Sequence, residues 1–244
     1  GRPTVRAATL VGRDEPIALS ARPRPYVSRG GQKLEPALDR FGVQVPGRLA
    51  LDAGASTGGF TDCLLSRGAA RVVAVDVGYG QLDWRLRQDP RVAVMERTNV
   101  RSLRPEDLPF VPQLVTADLS FISLRLVLPA LAAVASVEAD FVLLVKPQFE
   151  AGREQVGKGG VVSDPDAWSR VLRSTGSACL ELGLVPADLM VSQLLGPAGN
   201  AEFFLWARRA RSFGQGNPAA GVADLQERIP KVIGEALELR AGGG

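Results

Sequence analysis

Apolar residues in this 244-residue chain gather into short unbroken runs, separated by longer stretches in which they recur at helical spacing. Residues 49–51 (LAL), 71–77 (RVVAVDV), 92–95 (VAVM), 114–117 (LVTA) and 141–145 (FVLLV) are too short for helices. They lack the alternation of a strand with one wet face, so they predict buried parallel strands. Between them, Leu34, Leu38 and Phe41 share a helical face that stops at Gly42, and residues 60–67 predict a helix ended by Gly68. Residues 80–88 predict a short helix and 124–137 a longer one. A further helix is expected over 165–182, capped by Ser163 or Asp164. Residues 184–195 and 201–207 (AEFFLWA) predict two last strands, joined through GPAGN as an antiparallel hairpin. Strands alternating with helices give an α/β chain with a doubly wound sheet, whose ligands bind beyond the carboxyl ends of the strands. No internal repeat is present.

The first strand runs straight into the most informative turn, LALDAGASTGGFT at residues 49–61. Small residues after Asp52 let the backbone approach a nucleotide-like ligand, and the following helix start offers unpaired N–H groups. The glycines read G-A-S-T-G-G rather than G-x-G-x-x-G, and an acid stands two residues before the first, which disfavours a dinucleotide. Asp76 follows Gly54 by 22 residues, where such folds place a carboxylate on ribose hydroxyls. Together these match an S-adenosylmethionine site. Its expected residues are Asp52, Gly54, Ser56, Thr57, Gly58, Gly59, Phe60, Asp76 and Asp118, with Asn99 toward the adenine.

Four charges fall at one rim of the expected sheet: Lys33 ahead of the first strand, Asp118 after the fourth, Lys146 after the fifth and Glu202 opening the last. Any one alone reads as an exposed charge, but four at matching strand ends suit transfer of a methyl group to a ribose 2′-hydroxyl. That hydroxyl is a poor nucleophile until its proton leaves. Lys146, desolvated and beside positive Lys33, is expected to act as the base, with Asp118 and Glu202 orienting the lysines. Much of the acceleration would come from positioning.

Composition narrows the rest. Histidine is absent, so proton transfer near neutral pH falls to other groups. Cys63 and Cys179 lie far apart and predict neither a disulfide nor a zinc site; no metal is expected, and a reducing cytoplasm is. The most apolar long region, 124–145, is broken by Arg125, Glu138 and Asp140 and predicts no membrane span. No basic-then-apolar leader opens the chain, and its start at Gly1 fits residues upstream having been removed. The net charge of +3 is uneven: residues 1–35 carry seven basic groups against three acids, a balance that favours a nucleic-acid partner. Residues 1–25, with β-like pieces at 4–11 and 16–19, read as the tail of a small upstream module and a linker. Residues 151–163, with four glycines, read as a mobile loop beside the site. After residue 211 a loose stretch precedes an amphipathic helix over 222–240.

The ordered motifs SRGGQKL, LDAGASTGGFTDCLL, AVDVGYGQL, ERTNVR, ADLSFISL, VKPQFE and GNAEFFLW resemble the TlyA (hemolysin A) family of rRNA ribose methyltransferases, related to FtsJ/RrmJ-type enzymes. The resemblance covers residues 26–207. It implies a Rossmann-like S-adenosylmethionine-dependent methyltransferase fold, seven-stranded and mostly parallel with one antiparallel strand. It further implies S-adenosylmethionine as donor, ribosomal RNA in ribosomal subunits as substrate, 2′-O-methylation of cytidine, and a catalytic tetrad of Lys33, Asp118, Lys146 and Glu202. The family carries an N-terminal RNA-binding module, of which residues 1–25 would be the tail; residues 26–210 would be the methyltransferase domain and 211–244 an extension. The hemolysin label raises a membrane-active alternative, and loss of catalysis would leave an idle binding module. The complete tetrad speaks against the second.

Overall fold

The computed structural model describes residues 25–209 and 218–242. The expected pieces at 4–11 and 16–19, and the loose stretch after residue 211, lie outside the described residues or at their edge. Seven strands form one sheet: β1 (Leu49–Ala53), β2 (Arg71–Val75), β3 (Val92–Met95), β4 (Leu114–Ala117), β5 (Asp140–Val145), β6 (Leu184–Val191) and β7 (Phe203–Arg209), in the order β3-β2-β1-β4-β5-β7-β6. β1 to β5 are parallel, and β7 runs antiparallel to both β5 and β6. β7 is therefore the one reversed strand, as the hairpin pattern predicts.

Helices cover both faces, which is why the central strands are apolar without alternation. On one side α1 (Arg29–Phe41), α2 (Gly59–Ser66) and α3 (Trp84–Gln88) pack a core containing Leu34, Leu38, Phe60, Leu64 and Leu86. On the other, α4 (Leu124–Val134), α6 (Pro165–Glu181) and α7 (Pro218–Gly242) enclose Leu128, Leu131, Trp168, Leu172 and Ile229. A short α5 (Pro147–Glu150) follows β5 directly. The long C-terminal helix is docked: Leu225, Ile229, Val232 and Ala236 are buried on one face, and Arg228 pairs with Asp188 of β6. Gly176 of α6 permits the approach, since a Cβ there would stand 2.3 Å from Leu225 Cδ2.

Element ends differ from the sequence expectation where side chains cap the backbone. α3 starts at Trp84 because the Asp83 carboxylate accepts from Arg85 N at 2.9 Å. β6 stops at Val191, and Ser192 Oγ turns back to bond the main chain around Leu194. The glycine-rich segment 151–163 contains a single 3-10 turn (Arg153–Gln155) and is tied at its far end. There the Asn200 side chain accepts from Val162 N and donates to Gly160 O, both at 3.0 Å, and Trp168 Nε1 donates to Val162 O.

Candidate active site

The chain winds outward from β1 through β2 to β3, then returns to start β4 on the other side of β1. The strand order therefore reverses between β1 and β4, where an open α/β sheet forms its crevice. The crevice is a cavity of two lobes sharing Gly54, Ser56, Asp118 and Ser120, one of about 470 Å³ and one of about 180 Å³.

Gly54 opens it. Its φ of +85° is a left-handed conformation, and a Cβ there would lie 2.4 Å from the carbonyl oxygen of Asp118, so only glycine fits between β1 and β4. Its N–H and that of Ala55 donate to Val75 O, which holds the turn on the end of β2. Asp76, just past β2, accepts from Ser56 N at 2.8 Å and from Gly78 N at 2.7 Å. It thus shapes both neighbouring loops while lining the larger lobe. Asn99 lines that lobe too and caps a 3-10 turn by accepting from Arg101 N. Val77, Leu119, Ile122 and Val127 give it an apolar wall.

The smaller lobe is walled by Ser28, Gly30, Thr57, Gly59, Phe60, Asp118, Ser120 and Lys146, at the facing starts of α1 and α2. Lys146 Nζ lies 2.5 Å from Asp118 Oδ1 and donates to Ser120 Oγ at 3.1 Å. Lys33 and Glu202 form a second pair at 2.6 Å, nearly sealed from solvent, with Lys33 7% and Glu202 0% exposed. The other carboxylate oxygen of Glu202 packs where Gly196 lacks a Cβ and has no hydrogen-bond partner. The four charged residues therefore form two ion pairs, of which Lys146–Asp118 belongs to the cavity wall and Lys33–Glu202 does not.

Two of the expected ligand residues stand behind the cavity. Gly58 carries the turn into α2 with φ +95°. Asp52 is fully buried, accepting from Thr61 Oγ1 at 2.7 Å and Thr116 Oγ1 at 3.4 Å. Burial pushes its carboxyl up to about 7, helped by the charge of Asp118 and opposed by the threonine hydroxyls. Cys63 and Cys179 are free and buried, and burial raises both thiols to about 12, which makes them inert. Among the described residues there is no acidic, cysteine or histidine cluster that could hold a metal, and no helix long and apolar enough to cross a membrane.

Other participants were not singled out by sequence. Ser28 and Ser120 line the smaller lobe with Lys146, whose Nζ lies 6.0 Å from the centre of the Phe149 ring; Phe149 in turn meets Phe121 at 5.1 Å, with Phe121 92% exposed. The available signal was their place inside the motifs SRGGQKL, ADLSF and VKPQFE, which also hold Lys33, Asp118 and Lys146.

Comparison with known proteins agrees with this geometry. Residues 26–209 match the model of the FtsJ-like methyltransferase family. The chain is 50% identical over 236 residues to the 16S/23S rRNA (cytidine-2′-O)-methyltransferase TlyA of Mycobacterium tuberculosis, covering 96% of this chain and 86% of that one. A solved structure from Streptococcus thermophilus that bears the name hemolysin superposes with a TM-score of 0.83 at 42% identity, over 89% of this chain and 76% of the other. An S-adenosylmethionine-dependent methyltransferase from Listeria monocytogenes shares the fold alone, with a TM-score of 0.57 at 13% identity over 74% and 98% of the two chains. The chain belongs to the FtsJ-like methyltransferase family, in the group that contains TlyA.

Proposed function

We propose that this chain is a cytoplasmic S-adenosylmethionine-dependent 2′-O-methyltransferase that modifies a cytidine ribose in ribosomal RNA. Residues 26–210 would serve as the catalytic domain and residues 1–25 as part of an RNA-binding arm. The observation that carries the reading is Lys146 Nζ, fixed between Asp118 and Ser120 on the wall of a cavity at the β1/β4 switch point.

The residues present fit the donor. Asp76 at the end of β2 suits ribose hydroxyls, the apolar wall of Val77, Leu119, Ile122 and Val127 suits a flat base, and the turn at Gly54 leaves room for backbone approach. Asn99 of the larger lobe would face the adenine, and Ser56, Thr57, Gly59 and Phe60 would face the methionine part. S-adenosylmethionine, when bound, supplies an electrophilic methyl carbon. Lys146, once its ammonium has released a proton to solvent, would take the proton of the 2′-hydroxyl, and Asp118 would stabilise the ammonium that forms again. Lys33, neutralised by Glu202, supports the same rim without leaving an unpaired buried charge.

Lys146→Ala should abolish tritiated methyl transfer to unmethylated ribosomal subunits, with calorimetric affinity for S-adenosylmethionine within about twofold of the parent, because the lysine acts on the hydroxyl rather than the donor. Full activity in that variant, or binding of NAD in place of S-adenosylmethionine by the parent, overturns the reading.

A further inference from the structure

The segments that leave β4 and β5 are joined at three levels. Nearest the cavity, Lys146 meets Asp118 and Ser120. Next, Phe149 packs against Phe121, whose φ of +63° is a strained conformation for an aromatic residue. Outermost, Glu150 reaches across from α5. Its side chain is only 3% accessible, and its two oxygens accept from Ser123 Oγ at 2.5 Å and from Leu124 N at 2.6 Å. Leu124 N–H is one of the unpaired donors of the first turn of α4, so Glu150 caps from another element a helix that Ser123 caps from within. Arg125 Nε, at 3.9 Å, adds a distant counter-charge.

This arrangement is expensive without a purpose. Burial raises the Glu150 carboxyl above its ordinary value, and the two donors only partly offset that cost. A fixed distance between the loops is what the bonds provide: Glu150 lies four residues from Lys146, and Ser123 five from Asp118, so the clamp sets how the two loops lie against each other.

We propose that Glu150 is a positioning residue for methyl transfer, holding the β4 and β5 loops in the register that places Lys146 Nζ against Asp118 and Ser120. The inference rests on the methyltransferase reading above. Reach across the gap, rather than charge, is the essential property. A glutamine keeps the reach, accepting from Leu124 N and donating to Ser123 Oγ, whereas an aspartate keeps the charge and falls a methylene short.

Steady-state methyl transfer to unmethylated subunits, calorimetry with S-adenosylhomocysteine and thermal melts test this on Glu150→Gln and Glu150→Asp. Glu150→Gln should retain kcat to within about threefold. Glu150→Asp should lose about 10- to 100-fold in kcat while cofactor affinity stays within about twofold, since misplacing a reacting group by a fraction of an ångström costs turnover rather than donor binding. A folded Glu150→Asp protein with parental kcat, a Glu150→Gln protein slower than Glu150→Asp, or equal losses in kcat and cofactor affinity overturns the proposal. A parent protein that transfers no methyl group defeats the methyltransferase reading itself and this inference with it.

Discussion

Asp52 shows how a strand-end carboxylate can be close to a site without facing it. Strand pleating sends successive side chains to opposite faces, so Leu51 enters the core under α4 while Asp52 turns toward α2 and its Thr61. Only the backbone beyond Ala53 leaves the sheet to form the cavity. The sequence located the acid but not the phase of the pleat. Because burial lifts the carboxyl from 3.8 to about 7, the folded protein holds a proton between those values that the unfolded chain has released. Stability therefore falls as pH rises through that window and levels off above it. Asp52→Asn, which keeps a similar shape and carries no charge, should escape this loss. Its stability relative to the parent in urea should rise by up to about 4 kcal/mol between pH 4 and pH 8. Parallel profiles for the two proteins would mean that the carboxyl titrates normally.

The central strands were legible because a strand covered on both faces must be apolar throughout, and β3, β4 and β5 lie within a residue of the expected runs. The places of Asp118, Lys146 and Glu202 were legible for a related reason: each stands at a strand end, and those ends converge on one rim, whereas Lys33 lies within α1. Their pairing was not, since Lys33 meets Glu202 across 169 positions of chain. The Glu150 clamp was hidden in the same way, its partners lying 26 and 27 residues back on another loop. The fate of the last helix was equally closed to sequence, because an amphipathic face does not name what it packs against. In the fold that face is filled by Leu225, Ile229, Val232 and Ala236, which belong to the same core as α6 and β6. At roughly 1.5–3 kcal/mol for each large buried side chain, their loss removes several kcal/mol. Ile229→Asp should therefore lower the melting temperature by ten degrees or more, on the order expected for a domain of this size, and expose apolar surface to a dye such as ANS. An unchanged melt would place α7 outside the cooperative unit.

Taken as one body, the molecule carries a reaction site on one rim and little net charge to bring a polyanion there. Beyond residue 35 acids and bases nearly cancel, whereas the first 35 residues hold seven basic groups against three acids. Two of these lie in the described helix α1: Lys33 is neutralised by Glu202, whereas Arg29 donates to Leu195 O and keeps its charge. The rest of that positive charge is Arg2, Arg6, Arg13, Arg22 and Arg24. Each phosphate contact on RNA releases counterions, so the logarithm of the affinity should fall linearly with the logarithm of salt concentration, at about 0.7 per contact on single strands. If this arm supplies most of the attraction, replacing Arg2, Arg6 and Arg13 by alanine should flatten that slope by about 2 and weaken binding to ribosomal RNA fragments, with S-adenosylmethionine affinity untouched. Filter binding between 50 and 200 mM salt, on the order used to separate electrostatic from specific terms, reads the difference directly. A slope that does not move would assign the attraction to basic groups on the catalytic domain, such as Arg97, whose guanidinium stands over the exposed Tyr79 ring.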